Sequence, residues 1–105
     1  MDKKKLPINI LENKAYIYKD ICFTNDLDVI STILDEGIID INAWGICGHT
    51  PIHYHAMQGH FDIVKMLLSF GANLEIKNVY GDYIMDTLLQ YGQHDIYNYL
   101  MLYKK

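Results

Sequence analysis

The residues from Gly48 to Asn73 constrain the fold more than any other part of the chain, because they contain the start and end signals of short helices. Thr50 is suited to be a helix N-cap, since its hydroxyl can accept a hydrogen bond from a free amide of the first turn. Pro51 follows at the first helical position, where its missing N–H costs no hydrogen bond. Gly59 supplies a helix end that requires positive φ. The pattern therefore predicts a helix that begins at Pro51 and ends before Gly59.

A second helix is predicted between Gly59 and Gly71 from its hydrophobic periodicity. The apolar residues recur at helical spacing and form one stripe, made of Ile63, Val64, Leu67 and Leu68. The polar residues fall on the other side of the helix, at Asp62, Lys65 and Ser69. Two short helices joined by a tight turn cannot bury their apolar faces alone. The unit therefore needs similar neighbours to pack against.

The same pattern returns on both sides of this unit at a nearly constant spacing. Gly81 follows Gly48 by 33 positions. The segment 62–68 is preceded 34 positions earlier by the similar segment 28–34, and the segment 95–101 repeats the pattern again. We therefore predict an N-terminal lead-in or cap followed by three units, with the ranges 1–14, 15–42, 43–80 and 81–105.

The central unit carries a set of residues in a characteristic order. In chain order they are Thr50-Pro51-Ile52-His53, Ala56, Gly59-His60, Leu67-Leu68 and Gly71-Ala72-Asn73. They resemble one ankyrin repeat, with its T-P-L-H-x-A signature and its period of about 33 residues. The resemblance extends by register over residues 15–105, although both end units lack the signature, as is expected of units that need one packed face. It implies an all-α fold, an ankyrin repeat solenoid of about three helix–turn–helix repeats with β-turn or hairpin connections.

Composition limits the classes of function that the chain can serve. The 105 residues suit one domain, and a formal net charge of −4 argues against a general affinity for nucleic acid. No apolar run approaches the roughly 18 residues that cross a bilayer, so no membrane partner is expected. Cys22 and Cys47 have no metal or redox spacing, and we interpret them as free thiols in a reducing compartment, the cytoplasm or a host-cell cytosol. The basic residues are all lysine, a bias typical of AT-rich genomes such as those of large DNA viruses and intracellular bacteria.

Four histidines lie close together in the central unit, and they raise the question of a metal site or a catalytic site. They are His49, His53, His55 and His60. His53 and His55 are two positions apart and point to different sides of a helix, and no nearby cysteine or carboxylate completes a zinc ligand set of usual spacing. No nucleophile elbow, phosphate-binding loop or H-E-x-x-H motif is present. We therefore expect no metal, no cofactor and no catalytic residue.

The resemblance instead implies structural roles for most of these histidines. His53 corresponds to the signature histidine, which bonds neighbouring turns through its imidazole, and His60 helps to hold the loop after Gly59. His49 is expected on an exposed connecting turn, whereas His55 replaces a small alanine and is expected to face the groove. The complete set of predicted structural residues is Thr50, Pro51, His53, Gly59, His60, Gly71, Gly81 and Gly92.

The resemblance also implies a concave binding surface, formed by the tips of the turns and the inner helix faces. The predicted partner-binding residues are Phe23, Trp44, Ile46, Cys47, His49, Met57, Gln58, Lys77, Val79, Tyr80, Asp82, Gln90 and Tyr91. Many are apolar or aromatic, and an exposed cluster of such side chains predicts a protein contact site. The alternative is that Trp44 and Ile46 fold back over the thin core. Tyr97, Tyr99 and Tyr103 are expected to finish the core.

These observations predict a non-enzymatic protein–protein interaction module that binds or inhibits one protein partner. The resemblance implies two precedents: small ankyrin proteins of large DNA viruses often neutralise host signalling proteins, and some bacterial ones act as immunity proteins against a toxin. The alternatives are a histidine-cluster metal-binding protein or enzyme, a self-associating scaffold or homo-oligomer, and a fragment of a longer ankyrin array. The degraded signatures of the end units argue against the last of these.

Overall fold

The computed structural model describes residues 21–22, 24–37, 39–45 and 47–104. Within these residues the secondary structure is helical, and no strand is assigned. The helices with defined bounds are α1 (Leu27–Asp35), α2 (Pro51–Met57), α3 (Phe61–Ser69), α4 (Ile84–Gln90) and α5 (His94–Tyr103). The predicted all-α fold is confirmed. The predicted lead-in 1–14 and the candidate partner residues Phe23 and Ile46 lie outside the described residues.

Local sequence signals account for the starts of the first two helices. The Asp26 carboxylate caps α1, where its Oδ1 accepts hydrogen bonds from the amides of Asp28 and Val29 at 3.0 and 3.3 Å. Thr50 caps α2 as predicted, with its hydroxyl accepting from the amide of His53 at 3.4 Å. Such side-chain caps satisfy backbone donors that the helix itself leaves free.

The turn after α2 recurs after α4. Gly59 has φ of +82° and Gly92 has φ of +70°, a left-handed conformation that a residue without Cβ adopts at little cost. The next amide then donates back into the helix, from His60 to the carbonyl oxygen of His55 at 3.0 Å, and Gln93 makes the equivalent bond at 2.9 Å. This is the Schellman arrangement that ends helices sharply. The other predicted structural glycines, Gly71 and Gly81, also have positive φ.

Among the described residues, one apolar core runs through the five helices named above. The predicted stripe of α3 faces it, because Val64 and Leu67 are fully buried and Ile63 and Leu68 are nearly so. The other fully or almost fully buried core side chains are Ile21, Cys22, Ile30, Ile33, Ile52, Ala56, Ile84, Leu88, Ile96 and Leu100. Neighbouring units thus bury each other's apolar faces, which supplies the stabilisation that one unit lacks alone.

The helices pack as two hairpins, α2 with α3 and α4 with α5, and α2 also packs against α4. Tyr97 and Tyr99 are partly buried against the core as expected. The expectation for Tyr103 was wrong, since its side chain is 53% exposed and stacks on the ring of Tyr99 instead. No helix among the described residues is both long and apolar enough to span a bilayer. The repeat boundaries stay a prediction.

Candidate protein-binding surface

Two turns of the same form precede α2 and α4. In the first, the amide of Gly45 donates to the carbonyl oxygen of His49 at 3.0 Å, and in the second the amide of Asn78 donates to that of Asp82 at 2.9 Å. Each bond closes a short loop of hairpin type. These loops, called the turn tips below, comprise residues 44–45 with 47–49 and residues 77–82.

The two turn tips are bonded directly to each other. The indole Nε1 of Trp44 donates to the carbonyl oxygen of Lys77 at 2.7 Å, across a sequence separation of 33 residues. The amide of Val79 donates to the carbonyl oxygen of Gly48 at 2.8 Å. Because both bonds join one repeat to the next, the tips form a continuous edge rather than two independent loops.

Asn78 organises the second turn tip, although the sequence analysis did not single it out. Its side chain is almost completely buried. The Oδ1 atom accepts from the amides of Tyr80 and Asp82 at 3.0 and 2.9 Å, and this fixes Nδ2 toward Nδ1 of His49 at 3.3 Å. An asparagine three positions before the turn glycine Gly81 was the available signal, because asparagine side chains often bond the backbone of their own turn.

A groove of about 320 Å³ opens between the second turn tip and the helices α2 and α4. Its lining residues are His49, Met57, Asn78, Tyr80, Asp82, Thr87, Gln90 and Tyr91. Most of these are predicted partner-binding residues, which the structure therefore brings together on one surface. We call this site the groove.

The remaining described partner candidates lie outside the groove. Trp44 and Val79, on the turn tips, are each about half exposed, and Lys77 and Gln58 are also exposed. The Trp44 ring therefore does not fold back over the core. The Nζ atom of Lys77 lies 5.1 Å from the centre of the Tyr83 ring, a cation–π contact that holds this lysine beside the tip.

Three side chains expected to be exposed are more buried than predicted. His49 and Met57 are each only 9% exposed, so the expectation of an exposed His49 was wrong. The reason is tertiary, because the His49 ring packs 5.0 Å from that of His53 and 6.0 Å from that of Tyr80. Cys47 is half-buried against the core. His49 and Met57 line the groove as largely buried residues.

His53 joins two repeats, through a residue of the next helix and through a residue of the next turn tip. Its fully buried ring places Nε2 at 2.8 Å from the Thr87 hydroxyl in α4. The same Nε2 lies 3.5 Å from Nδ2 of Asn78, and the Thr87 hydroxyl is also within hydrogen-bond distance of the carbonyl oxygen of Tyr83, at 3.3 Å. Burial, with a smaller contribution from His49, lowers the pKa of His53 to about 4, against an opposing effect of Asp82. The imidazole is therefore neutral at pH 7.

His55 does not face the groove as expected. Its fully buried ring donates from Nε2 to the carbonyl oxygen of Ile21 at 2.7 Å, which ties the central unit to the preceding one. Its Nδ1 then accepts from Nδ1 of His60 at 3.0 Å, so His60 holds the loop after Gly59 through this ring pair. Burial lowers the pKa of His55, and His60 adds to this effect, whereas the bond to Ile21 opposes it.

The four histidines thus form two pairs on opposite sides of the central unit. His49 and His53 lie toward α4, whereas His55 and His60 lie toward Ile21. No group of three or more His, Cys, Asp or Glu side chains in the described part of the chain is arranged to hold a metal ion. His53 and His55 bond to neighbouring repeats, through Thr87 and Ile21, and His55 and His60 bond to each other within the central unit. The buried Nδ1 of His53 has no partner among the described residues.

Stacked helical hairpins, joined by bonded turn tips at a period of 33 residues, define a repeat protein of the solenoid class. A family model described as "Ankyrin repeats (3 copies)" matches residues 19–105. The chain therefore belongs to the ankyrin repeat family, as the signature around Thr50 predicted. Ankyrin repeats are protein–protein interaction modules.

Similar proteins come from distant sources. An ankyrin repeat protein of Rickettsia bellii is 39% identical over 61 residues, which are 58% of this chain and 36% of that protein. One of Fowlpox virus is 40% identical over 52 residues, which are 50% of this chain and 8% of that protein. The matched part of this chain thus spans about a third or less of the length of these relatives.

A solved structure shares the fold. It is a chain in the complex of the predatory endopeptidase Bd0816 from Bdellovibrio bacteriovorus with the immunity protein Bd3460. The match has a TM-score of 0.69 and 32% sequence identity, and it covers 85% of this chain and 45% of that chain.

Proposed function

We propose that this ankyrin repeat protein is a non-enzymatic module that binds, and thereby inhibits or sequesters, another protein. The binding surface is the edge of the turn tips together with the groove. The observation that carries this proposal is the exposure of two aromatic side chains, Trp44 at 50% and Tyr80 at 73%, on turn tips that are bonded to each other. The amide of Tyr80 is also held by the buried Asn78 side chain of its own turn tip. Large rings on a rigid support lose little conformational entropy on binding, and such residues are frequent hot spots.

The inhibitory role is the more specific part of the proposal. It is supported by the matched fold in a structure of an endopeptidase in complex with an immunity protein. The half-buried and buried free thiols, Cys47 and Cys22, are compatible with action in a reducing cytosol, where we place the protein.

The double variant Trp44→Ala, Tyr80→Ala tests the proposed surface. The wild-type protein is used to isolate partners from the native cell, and these are identified by mass spectrometry. Calorimetry then measures the affinity of a purified partner for the purified wild type and for the double variant. The matched control is Tyr103→Ala, which removes from the end of α5 an aromatic ring about as exposed as that of Trp44. We expect the double variant to lose at least about tenfold in affinity while keeping its helical circular dichroism, and the control to bind normally.

Two results would contradict this surface assignment. One is unchanged affinity of the double variant for the purified partner. The other is an equal loss in the Tyr103→Ala control, which would move the binding site to the last helix.

Self-association is a second candidate, favoured by exposed apolar side chains in the last two helices. Leu102 is 71% exposed and Leu89 is 51% exposed. If these residues mediate contact between copies, light scattering will show a dimer at high protein concentration, and Leu102→Lys will abolish it. A monomer across the concentration range would reject this candidate.

A further inference from the structure

The groove carries a negative charge that no cation of the described residues neutralises. Asp82 is the one acidic side chain among the lining residues. His49 also lines the groove, but burial lowers the pKa of its imidazole, with Asp82 opposing this effect. The ion pair found in the described part of the chain, between Lys104 and Glu75 at 2.8 Å, does not involve it. Lys77, on the same turn tip, places its ammonium over the Tyr83 ring instead. The Asp82 carboxylate is thus available to a ligand.

Two exposed aromatic residues share the groove with this carboxylate. Tyr80 is 73% exposed and Tyr91 is 56% exposed, and both line the groove with Asp82. The Asn78 amide oxygen binds the backbone amides of Tyr80 and Asp82, so one buried side chain fixes the position of the ring and of the acid. The ring of His49 packs 6.0 Å from that of Tyr80 and supports it from the interior.

We propose that the groove receives an arginine side chain of the protein partner, with its guanidinium paired to the Asp82 carboxylate and stacked against Tyr80 or Tyr91. This inference rests on the proposed function, since it specifies which chemical group the binding surface recognises. A guanidinium is planar, binds a carboxylate with two parallel hydrogen bonds and stacks on aromatic rings, whereas a lysine ammonium is a compact, strongly hydrated charge.

The size of the groove agrees with this occupant. Its volume of about 320 Å³ lies at the lower end of the range for small-molecule sites, which runs from about 300 to 1,000 Å³. One long side chain anchored by the rest of a protein interface fits such a volume. The partner is therefore expected to present a basic segment to the acidic groove, which complements the net charge of −4 of this chain.

The test is a titration of the full chain with N-acetyl-arginine methylamide, followed by amide shifts in two-dimensional ¹H–¹⁵N NMR. The citrulline analogue is the matched ligand, because it has nearly the same shape but no charge. Asp82→Asn is the matched variant, and Asp95→Asn, an exposed acid of α5 outside the groove, is its control. We expect saturable shifts at Tyr80, Asp82 and Tyr91 with the arginine compound. Binding should be at least about fivefold weaker in Asp82→Asn and with citrulline, and unchanged in Asp95→Asn.

Several outcomes would overturn the inference: no saturable shift with the arginine compound, equal binding of citrulline, or equal binding by Asp82→Asn. A second experiment, the selection of random peptides that bind the wild-type protein, distinguishes rejection of the arginine site from rejection of the proposed protein-binding function. Peptides that depend on Trp44 and Tyr80 but contain no arginine would leave the binding surface in place and reject the arginine site. If arginine is enriched in the selected peptides and this enrichment is lost with Asp82→Asn, both the binding surface and the arginine site are supported.

Discussion

The indole Nε1 of Trp44 lies 2.7 Å from the carbonyl oxygen of Lys77, the residue 33 positions later and therefore one repeat further along the chain. The ring is still half exposed. Trp44 thus bonds one turn tip to the next through its polar end and offers its apolar surface to solvent. This combination positions an aromatic side chain without burying it, which is what a preformed binding surface requires.

Trp44→Phe removes this bond and keeps an aromatic ring. We expect the free energy of unfolding to fall by about 1 kcal/mol, since a net intramolecular hydrogen bond contributes roughly that amount. Urea denaturation followed by circular dichroism measures it. Tyr80→Phe is the control, because Tyr80 is largely exposed and the loss of its hydroxyl should change stability by less than about 0.5 kcal/mol. Equal stability of Trp44→Phe and wild type would show that the bond between the tips contributes nothing.

Gly48 and Gly81 occupy equivalent positions in successive turn tips and differ in what surrounds them. Both have positive φ, +82° and +85°. A Cβ at Gly48 would collide with the side chain of Val79, whereas one at Gly81 would meet no atom within 4 Å. We expect Gly81→Ala to cost about 1 kcal/mol from backbone strain, and Gly48→Ala about 2–4 kcal/mol because the collision adds to it.

The same denaturation experiment compares the two glycine variants. Adding Val79→Ala to Gly48→Ala should recover the stability that is lost to the collision with the Val79 side chain. If Gly81→Ala proves as damaging as Gly48→Ala, contact between the tips is not what distinguishes these positions.

Thr87→Val replaces the buried partner of His53 by a side chain of the same shape. Nε2 of His53 then keeps only the long 3.5 Å contact with Nδ2 of Asn78, and losing the bond of a buried polar atom costs about 1–3 kcal/mol. Thr87→Ser retains the hydroxyl and should cost less than Thr87→Val. The unfolding midpoint in urea distinguishes them. A Thr87→Val variant as stable as Thr87→Ser would mean that the bond between repeats is not a stabilising one.

Stability should fall as the pH is lowered from 7.5 to 5.0. Burial lowers the pKa of His53 from 6.5 to about 4, and it also lowers those of His49 and His55. In this window the unfolded chain takes up protons that the folded chain excludes, so acid favours unfolding. His53 alone should account for about 2 kcal/mol between these two values.

Urea titrations at both pH values measure this loss. The free energy of unfolding of His53→Gln should differ less between pH 7.5 and 5.0 than that of the wild type, whatever its absolute stability. A stability that is flat or rises toward pH 5.0 would contradict the assignment of neutral, buried histidines.

The sequence determined the local structure of the central unit. Thr50 and Pro51 start α2 and Gly59 ends it, because capping and positive φ depend on a few adjacent backbone atoms. The apolar stripe of α3 could also be predicted from the sequence, since its spacing of three and four residues is a property of the helix itself. The period of 33 residues then required the units to stack, because no single unit can bury its own apolar face.

The proposed binding surface could be predicted from the sequence only in part. The turn-tip and inner-helix positions followed from the register, and many of them line the groove together. Asn78 was missed, because its importance comes from four side-chain bonds whose partners include His49 and His53, 29 and 25 residues away. The proposed arginine site likewise depends on Asp82 and Tyr91, on different elements, lining the same groove.

Tertiary structure alone decided which histidines are buried and what they bond. His49 follows a turn glycine and reads as exposed, yet its ring is covered by those of His53 and Tyr80. His55 bonds the carbonyl oxygen of Ile21, 34 residues before it. Helix signals act over one or two turns of backbone, whereas the burial of a side chain depends on which distant segment packs over it, and that is fixed only when the repeats assemble.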